Sequence, residues 1–181
     1  MKKLIVCAIL AGLLAVAVSP ALAWDAAKQK NLGQDKNKMQ WYLLDYGKDE
    51  NGVPYAISRR YYTNATVKNE MIELLMSKFG ISPEVAGSLY FTEYRYDYTE
   101  DGKQYAMAYL RHYDMLGNEI HGTVYEGEAK TYASVAAAGS KHAVYQGARL
   151  ATGKAPAAEK KAAPAKSSTV PAKRVVKAKK K

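Results

Sequence analysis

The stretch "YFTEYRYDYTEDGKQYAMAYLRHYDMLGNEI", residues 90–120, decides the fold of this chain. In its first half, tyrosine or threonine occupies every second position, and Glu93, Arg95 and Asp97 lie between them. Such regular alternation is typical of a strand with one buried face. The dipeptide Asp101-Gly102 favours a two-residue primed turn, so the stretch predicts a β-hairpin whose strands meet at this turn.

The turn also sets the register of the hairpin and collects tyrosines on one face. It pairs Glu100 with Lys103, Tyr98 with Tyr105, Tyr96 with Met107, and Tyr94 with Tyr109. We call the resulting set of Tyr94, Tyr96, Tyr98, Tyr105 and Tyr109 the tyrosine ladder. Two interpretations of the ladder remain open. It is the core face, packed under a helix at residues 66–79, or it is an exposed surface for a protein partner, because tyrosine brings a large rigid area and a hydroxyl at low entropic cost.

Patterns on either side of this hairpin complete an α+β fold. Residues 39–57, "MQWYLLDYGKDENGVPYAI", predict another hairpin, in which Pro54 is compatible with an edge strand or with the first residues of a strand. Residues 66–80, "TVKNEMIELLMSKFG", have apolar residues at helical spacing, a cap in Asn64 or Thr66, and Gly80 at the end. Ser82-Pro83 begins a second, shorter helix. Short strands follow near 119–125 and 130–135. The prediction is an antiparallel meander sheet of about five to six strands with one inserted helix (about 66–79) and a C-terminal helix (about 140–150).

The N-terminus has the three parts of a secretory signal peptide. Lys2 and Lys3 are followed by an apolar run over residues 4–18, and Ala21 and Ala23 supply the small residues of a cleavage site. The run is shorter than the roughly 20 residues that span a bilayer, which disfavours a transmembrane anchor. We therefore predict an exported protein, located in the periplasm, at the cell surface or in the medium, with residues 1–23 removed. The single cysteine, Cys7, lies in the removed segment.

The charge of the chain is concentrated at its other end. The formal net charge is +10, and residues 151–181 carry ten Lys and Arg against one Glu, whereas residues 24–150 are close to neutral. This tail contains Ala, Lys, Pro, Ser and Val but no aromatic residue, a composition that cannot repay the entropy of ordering. The predicted organisation is a signal peptide (1–23), a polar lead-in (24–38), one domain (39–150) and a disordered basic tail (151–181).

Motifs for catalysis, metal binding and cofactor binding are not convincing. His112, His121 and His142 lack the i, i+4 spacing of a helical zinc site, and no cysteine accompanies them. Glu93 and Asp97 share a strand face with Arg95, which favours a solvated charge stripe over an acid–base pair. Neither a Gly-x-Ser-x-Gly elbow nor a phosphate-binding glycine loop is present. The prediction is a protein that is not an enzyme and that needs no cofactor.

Residues 39–150 resemble the surface-adhesin protein E domain of bacterial envelopes. The resemblance lies in the order "WYLLD", a glycine-containing turn, "YAISRR", "YTEDGKQYAMAYLRHYDMLGNEI" and an Ala/Gly-Ser step into a last helix, and its most telling piece is "HYDMLGNEI". It implies a meandering antiparallel sheet with a C-terminal helix that binds at the cell surface. The chain departs from this family in having no cysteine pair and no lipoprotein cysteine, and in adding the helix at 66–79 and the basic tail.

These observations lead to two hypotheses about function. In the first, the protein is an adhesin-like envelope protein whose tail binds anionic polymers, lipid headgroups or sulfated glycans and whose sheet binds a protein partner. The densest basic residues of the tail are Lys173, Arg174, Lys177, Lys179, Lys180 and Lys181. In the second, the tail resembles a histone arm and binds extracellular DNA through its phosphates. Export and the absence of aromatic residues from the tail disfavour this nucleic-acid hypothesis.

Overall fold

The computed structural model describes residues 27–154, and the predicted signal peptide and residues 155–181 of the tail lie outside this range. Within the range, seven strands form one sheet: β1 Lys30–Gln34, β2 Gln40–Lys48, β3 Pro54–Tyr61, β4 Phe91–Tyr98, β5 Gln104–Tyr113, β6 Glu119–Val124 and β7 Tyr132–Ser134. The α-helices are α1 Ala65–Phe79, α2 Pro83–Gly87 and α3 Ala143–Thr152. The α+β class, the antiparallel sheet and the C-terminal helix are therefore confirmed.

The sheet is an antiparallel meander. Strands β1 to β6 are neighbours in chain order, and β7 pairs with β5 beyond the end of β6. The connection from β3 to β4 contains α1 and α2. Register shifts interrupt four of the strand pairs, and such bulges bend a sheet and increase its twist. Pro54 is the first residue of β3, where its missing N–H costs no hydrogen bond inside the strand.

The predicted boundaries need two corrections. The polar lead-in contains β1, which pairs with β2 although its own residues are mostly exposed and show no hydrophobic period. Backbone pairing with a buried neighbour holds this edge strand in place, and such pairing leaves no hydrophobic signature in the paired segment. At the other end, α3 continues to Thr152, two residues beyond the predicted end of the domain.

The hairpin of β4 and β5 keeps part of the predicted register and loses the rest. Tyr98 lies opposite Tyr105, and Tyr96 lies opposite Met107, as predicted. A bulge then inserts Ala108, so that Tyr109 lies opposite Arg95 and the predicted pair with Tyr94 is wrong. Because side chains alternate across a strand, one inserted residue moves Tyr109 to the other face of the sheet.

The turn is longer than the predicted two-residue type. The Thr99 N–H donates to the carbonyl of Gln104 (3.1 Å), and the Gly102 N–H donates to the carbonyl of Thr99 (2.9 Å). A primed type I turn would require positive φ at both Asp101 and Gly102. Gly102 has φ 70°, but Asp101 is not among the described residues with positive φ. The five residues 99–103 thus connect β4 to β5, and the fourth of them is a left-handed glycine.

Replacing Gly102 by Val is expected to lower the free energy of unfolding by roughly 1 to 3 kcal/mol. A β-branched residue resists the positive φ, and a Cβ at this position would lie 2.9 Å from Thr152 Oγ1 at the end of α3. Urea denaturation of the variant measures the loss. Gly117→Val is the matched control, because Gly117 has φ 84° but open space around it. An equal loss in both variants would show that α3 does not rest on this turn.

The main core lies between α3 and one face of the sheet, which we call the helix face. Its buried members come from three strands, the loop before α3, and α3 itself: Leu43, Ala56, Tyr96, Tyr98, Val135, Val144 and Ala148. Gly147 of α3 permits this contact, because a Cβ there would lie 2.7 Å from the Cβ of Ala56. The helix over the tyrosine ladder is therefore α3, and the prediction that the 66–79 helix covers it is wrong.

Helices α1 and α2 form a smaller cluster at one end of the helix face. The Asn64 side chain caps α1 by accepting from the Thr66 N–H, and Gly80 ends it with φ 68°, as predicted. Leu75, Ala86 and Leu89 are fully buried in this cluster. Most other residues of α1 are exposed or half-buried.

Candidate functional site

The structure divides the tyrosine ladder between the two faces of the sheet. Tyr96 and Tyr98 are 3% and 2% exposed in the core, and the Tyr98 hydroxyl donates to the carbonyl of Val144 (3.1 Å). Tyr94 and Tyr105 pack against the same cluster. Burial raises the pKa of Tyr94 to about 12, so its hydroxyl stays protonated at neutral pH. The core interpretation therefore applies to these four tyrosines.

Tyr109 lies on the opposite face, which we call the open face because α3 packs on the other side. Its hydroxyl donates to Glu93 Oε1 (3.1 Å). Burial, followed by the charge of Glu93, raises the pKa of Tyr109. Tyr109 is thus the single member of the ladder that could contribute to a surface on this side.

The open face carries ion pairs instead of the predicted solvated charge stripe. Arg59 Nη2 lies 2.9 Å from Glu93 Oε2, and the guanidinium of Arg59 lies 4.0 Å from the centre of the Phe91 ring. Arg95 binds both Asp49 (2.7 Å) and Asp97 (2.8 Å). Although burial opposes its charged form, these two carboxylates raise the pKa of Arg95. Glu93 and Asp97 are each only 5% exposed. Their carboxylates are therefore buried and paired with arginines and are not solvated by water.

Beside these ion pairs, the open face contains a groove of about 480 Å³. Its aromatic members are Tyr42, Tyr61 and Tyr90, which meet edge to face with ring centres 5.6 and 5.5 Å apart. Its polar members are Gln29, Gln40, Arg59 and Thr63. We call this feature the tyrosine groove. Sequence reasoning missed it, although the alternation of "QWYLL" and "YAISRRY" places Tyr42 and Tyr61 on one face of adjacent strands.

A second recess of about 820 Å³ lies on the other side of the sheet, at the N-terminus of α3. We call it the α3 cleft. It is formed by the second half of β1 and the loop after it, the start of β2, the end of β3, the start of β5, and the loop before α3. Sequence reasoning did not find it, because its residues come from separate segments and no local pattern joins them.

The three histidines have separate structural roles. His112 and His121 are direct neighbours on β5 and β6, with ring centres 6.4 Å apart. His112 Nδ1 and Thr92 Oγ1 share a hydrogen bond of 2.8 Å, and burial, then the charges of His121 and Arg60, lowers the pKa of His112 to about 4. His142 caps α3 by accepting from the Val144 N–H (3.3 Å). Within residues 27–154, no group of three His, Cys, Asp or Glu could hold a metal ion.

The comparisons with known proteins found no similarity: no protein-family model, no curated protein and no solved structure matches this chain.

The tail residues Lys173 to Lys181 and the cleavage-site residues Ala21 and Ala23 lie outside the described residues. Among those that are described, no helix is both long and apolar enough for a membrane span.

Proposed function

We propose that this protein is an exported, non-catalytic, adhesin-like binding protein of the bacterial envelope, and that it holds an anionic polysaccharide. The observation that carries the proposal is the tyrosine groove, which lies on the face of the sheet opposite α3. The resemblance to the surface-adhesin protein E domain supports a role in envelope binding. The signal-peptide pattern supports export.

The composition of the tyrosine groove favours a sugar polymer over an apolar partner. Tyrosine rings offer apolar faces and hydroxyls, and the Gln29 side-chain amide can hydrogen-bond to sugar hydroxyls. The Gln40 amide nitrogen already donates to Asn31 Oδ1 (2.7 Å), so Gln40 can offer a sugar only its side-chain oxygen as an acceptor. The nearby carboxylates of Glu93 and Asp97 are already paired with Arg59, Arg95 and Lys130, so their charge is compensated beside an anionic chain. The groove therefore suits the sugar rings of such a polymer. The acidic groups of the polymer would bind the basic tail.

The tail supplies an electrostatic attachment. Outside the cytoplasm, anionic polymers and lipid headgroups are repeating negative surfaces that a basic arm can bind without a fixed structure. Each Lys or Arg near an anionic membrane surface contributes about 1 kcal/mol, so the segment 173–181 binds through many weak contacts. Val175 and Val176 are too few to insert as an apolar anchor, which makes the attachment reversible.

Retention on heparin tests the tail. The chain from Trp24 to Lys181 is expected to be retained at low salt and to elute at physiological salt, because screening shortens the reach of each charge. A chain ending at Lys154 is expected to fold equally well and to lose most of this retention. The truncation falls after Lys154 because Lys154 Nζ donates to the carbonyl of Glu100 and Thr152 lies against Gly102. Equal retention of both chains would overturn the role of the tail.

The groove and the polymer class are tested on the same column. Tyr61→Ala, with the tail intact, is expected to elute at lower salt than the parent chain. Tyr132→Ala on β7, which removes a tyrosine that is 48% exposed, serves as its control and is expected to elute unchanged. Stronger retention on immobilised DNA than on heparin would favour the nucleic-acid hypothesis. Unchanged elution of Tyr61→Ala would remove the tyrosine groove from the proposal.

A further inference from the structure

The α3 cleft has walls of two kinds. Trp41 lies in the wall and is 7% exposed, with its ring 5.4 Å from that of Tyr94 and 5.6 Å from that of His142. Leu32, Tyr105 and Ala138 add apolar surface, and Lys36, Arg60 and Lys141 add positive charge. A volume of about 820 Å³ lies within the range of small-molecule sites.

The carboxylate of Asp35, at the cleft, already accepts hydrogen bonds from the protein itself. Asp35 Oδ2 accepts from the indole N–H of Trp41 (2.9 Å), and Oδ1 accepts from the backbone N–H groups of Asn37 and Met39. Burial opposes ionisation here, but these hydrogen bonds and the charge of Arg60 lower the pKa of Asp35. Asp35 therefore serves as an ionised brace for the loop and for the Trp41 ring.

The basic groups of the cleft, by contrast, are not directly paired with any carboxylate of residues 27–154, although the charge of Arg60 acts on Asp35. None of Lys36, Arg60 and Lys141 forms an ion pair within the part of the chain that the structure describes. Arg60 Nε is buried and has no hydrogen-bond partner there. Because Nε is shielded from solvent, an oxyanion in the cleft would bind the terminal N–H groups of Arg60, which lines the recess.

Helix α3 adds to this positive potential. It begins at the cleft with His142 as the N-cap and Ala143 as its first residue, and both line the recess. The N-terminus of a ten-residue helix carries partial positive charge and favours an anion. The His142 ring uses Nδ1 to accept from Val144, which leaves the proton of the neutral ring on Nε2 as a further donor.

We propose that the α3 cleft binds a small oxyanion carried on a ring, such as an acidic monosaccharide. Arg60 and Lys141 bind the carboxylate or sulfate group near the start of α3, and the apolar wall around Trp41 and Tyr105 contacts the ring. This site lies on the opposite side of the sheet from the tyrosine groove and does not involve the tail. It goes beyond the proposed function, and each can fail without the other.

Fluorescence of Trp41 reports occupancy of the cleft. The chain from Trp24 carries Trp24→Phe, so that Trp41 is the only tryptophan, and is titrated with sodium glucuronate, glucose or sodium sulfate at constant ionic strength. The emission of Trp41 is expected to change with glucuronate concentration until it reaches a plateau. Glucose is expected to leave the emission unchanged. Arg60→Gln is expected to weaken glucuronate binding by at least ~10-fold, since a charge-assisted hydrogen bond is lost. Lys141→Gln is expected to weaken it by ~3-fold, because an exposed lysine contributes less.

Matched lysines elsewhere in the chain provide the controls. Lys103→Gln in the β4–β5 loop and Lys177→Gln in the tail are expected to leave the affinity for glucuronate unchanged. If Arg60→Gln does not fold, Lys141→Gln and Lys36→Gln still test the charge of the cleft. The proposal would be overturned if glucose bound as tightly as glucuronate, or if all the cleft variants kept the parent affinity. It would also be overturned if glucuronate binding did not saturate at millimolar concentrations. Sulfate binding as tightly as glucuronate would overturn the contribution of the ring.

Discussion

The variant Tyr98→Ala is expected to lose about 3 to 5 kcal/mol of unfolding free energy. Tyr98 is 2% exposed and packs with Val144 and Ala148 of α3, so truncation would leave a cavity between the sheet and this helix. Its hydroxyl donates to the carbonyl of Val144, and this additional hydrogen bond to the helix would be lost as well. A loss of this size is a large fraction of the total stability of a small domain.

Urea denaturation followed by circular dichroism measures the loss, and two variants separate its causes. Tyr98→Phe keeps the ring and removes only the hydrogen bond, so the expected cost is about 1 kcal/mol. Tyr132→Ala removes a tyrosine that is 48% exposed on β7 and is expected to cost little. If Tyr98→Ala costs no more than Tyr132→Ala, the tyrosines of β4 do not form the core.

The second large effect is expected for Glu93→Ala, which should cost about 3 to 5 kcal/mol because it leaves a buried charge without its partner. The side chains of Arg59 and Glu93 are 8% and 6% exposed and lie 2.9 Å apart. Arg59 stays fixed against Phe91 in the variant and cannot easily turn to water. Tyr109 also loses the acceptor of its hydroxyl.

The double variant Arg59→Met/Glu93→Leu provides the control. It removes both charges together and fills similar volume, so it is expected to be clearly more stable than Glu93→Ala alone. Chemical denaturation of the parent chain, Glu93→Ala, Arg59→Met and the double variant completes a thermodynamic cycle. Additive losses around this cycle would mean that the two residues are not coupled and that the open face does not enclose the pair.

Sequence alone was sufficient for features that depend on neighbours along the chain. The alternation around Tyr96 predicted a strand, and Tyr98 and Tyr105 were paired correctly from the position of the turn. The expectation that only one face of this strand is buried was wrong, because Glu93 and Asp97 on its other face are each 5% exposed. Asn64 and Gly80 predicted the ends of α1 to within one residue. These signals are local because side-chain alternation, capping and positive φ are properties of a few consecutive residues.

Tertiary structure alone decided which side of the sheet each residue faces and what lies over it. The bulge at Ala108 moved Tyr109 from the core to the open face, where it binds Glu93. Either α1 or α3 could have covered the tyrosines, and the docking of Gly147 against Ala56 selected α3. The buried ion pairs and the α3 cleft join residues that are far apart in sequence. Their positions follow from long-range packing, which composition, period and spacing along the chain do not encode.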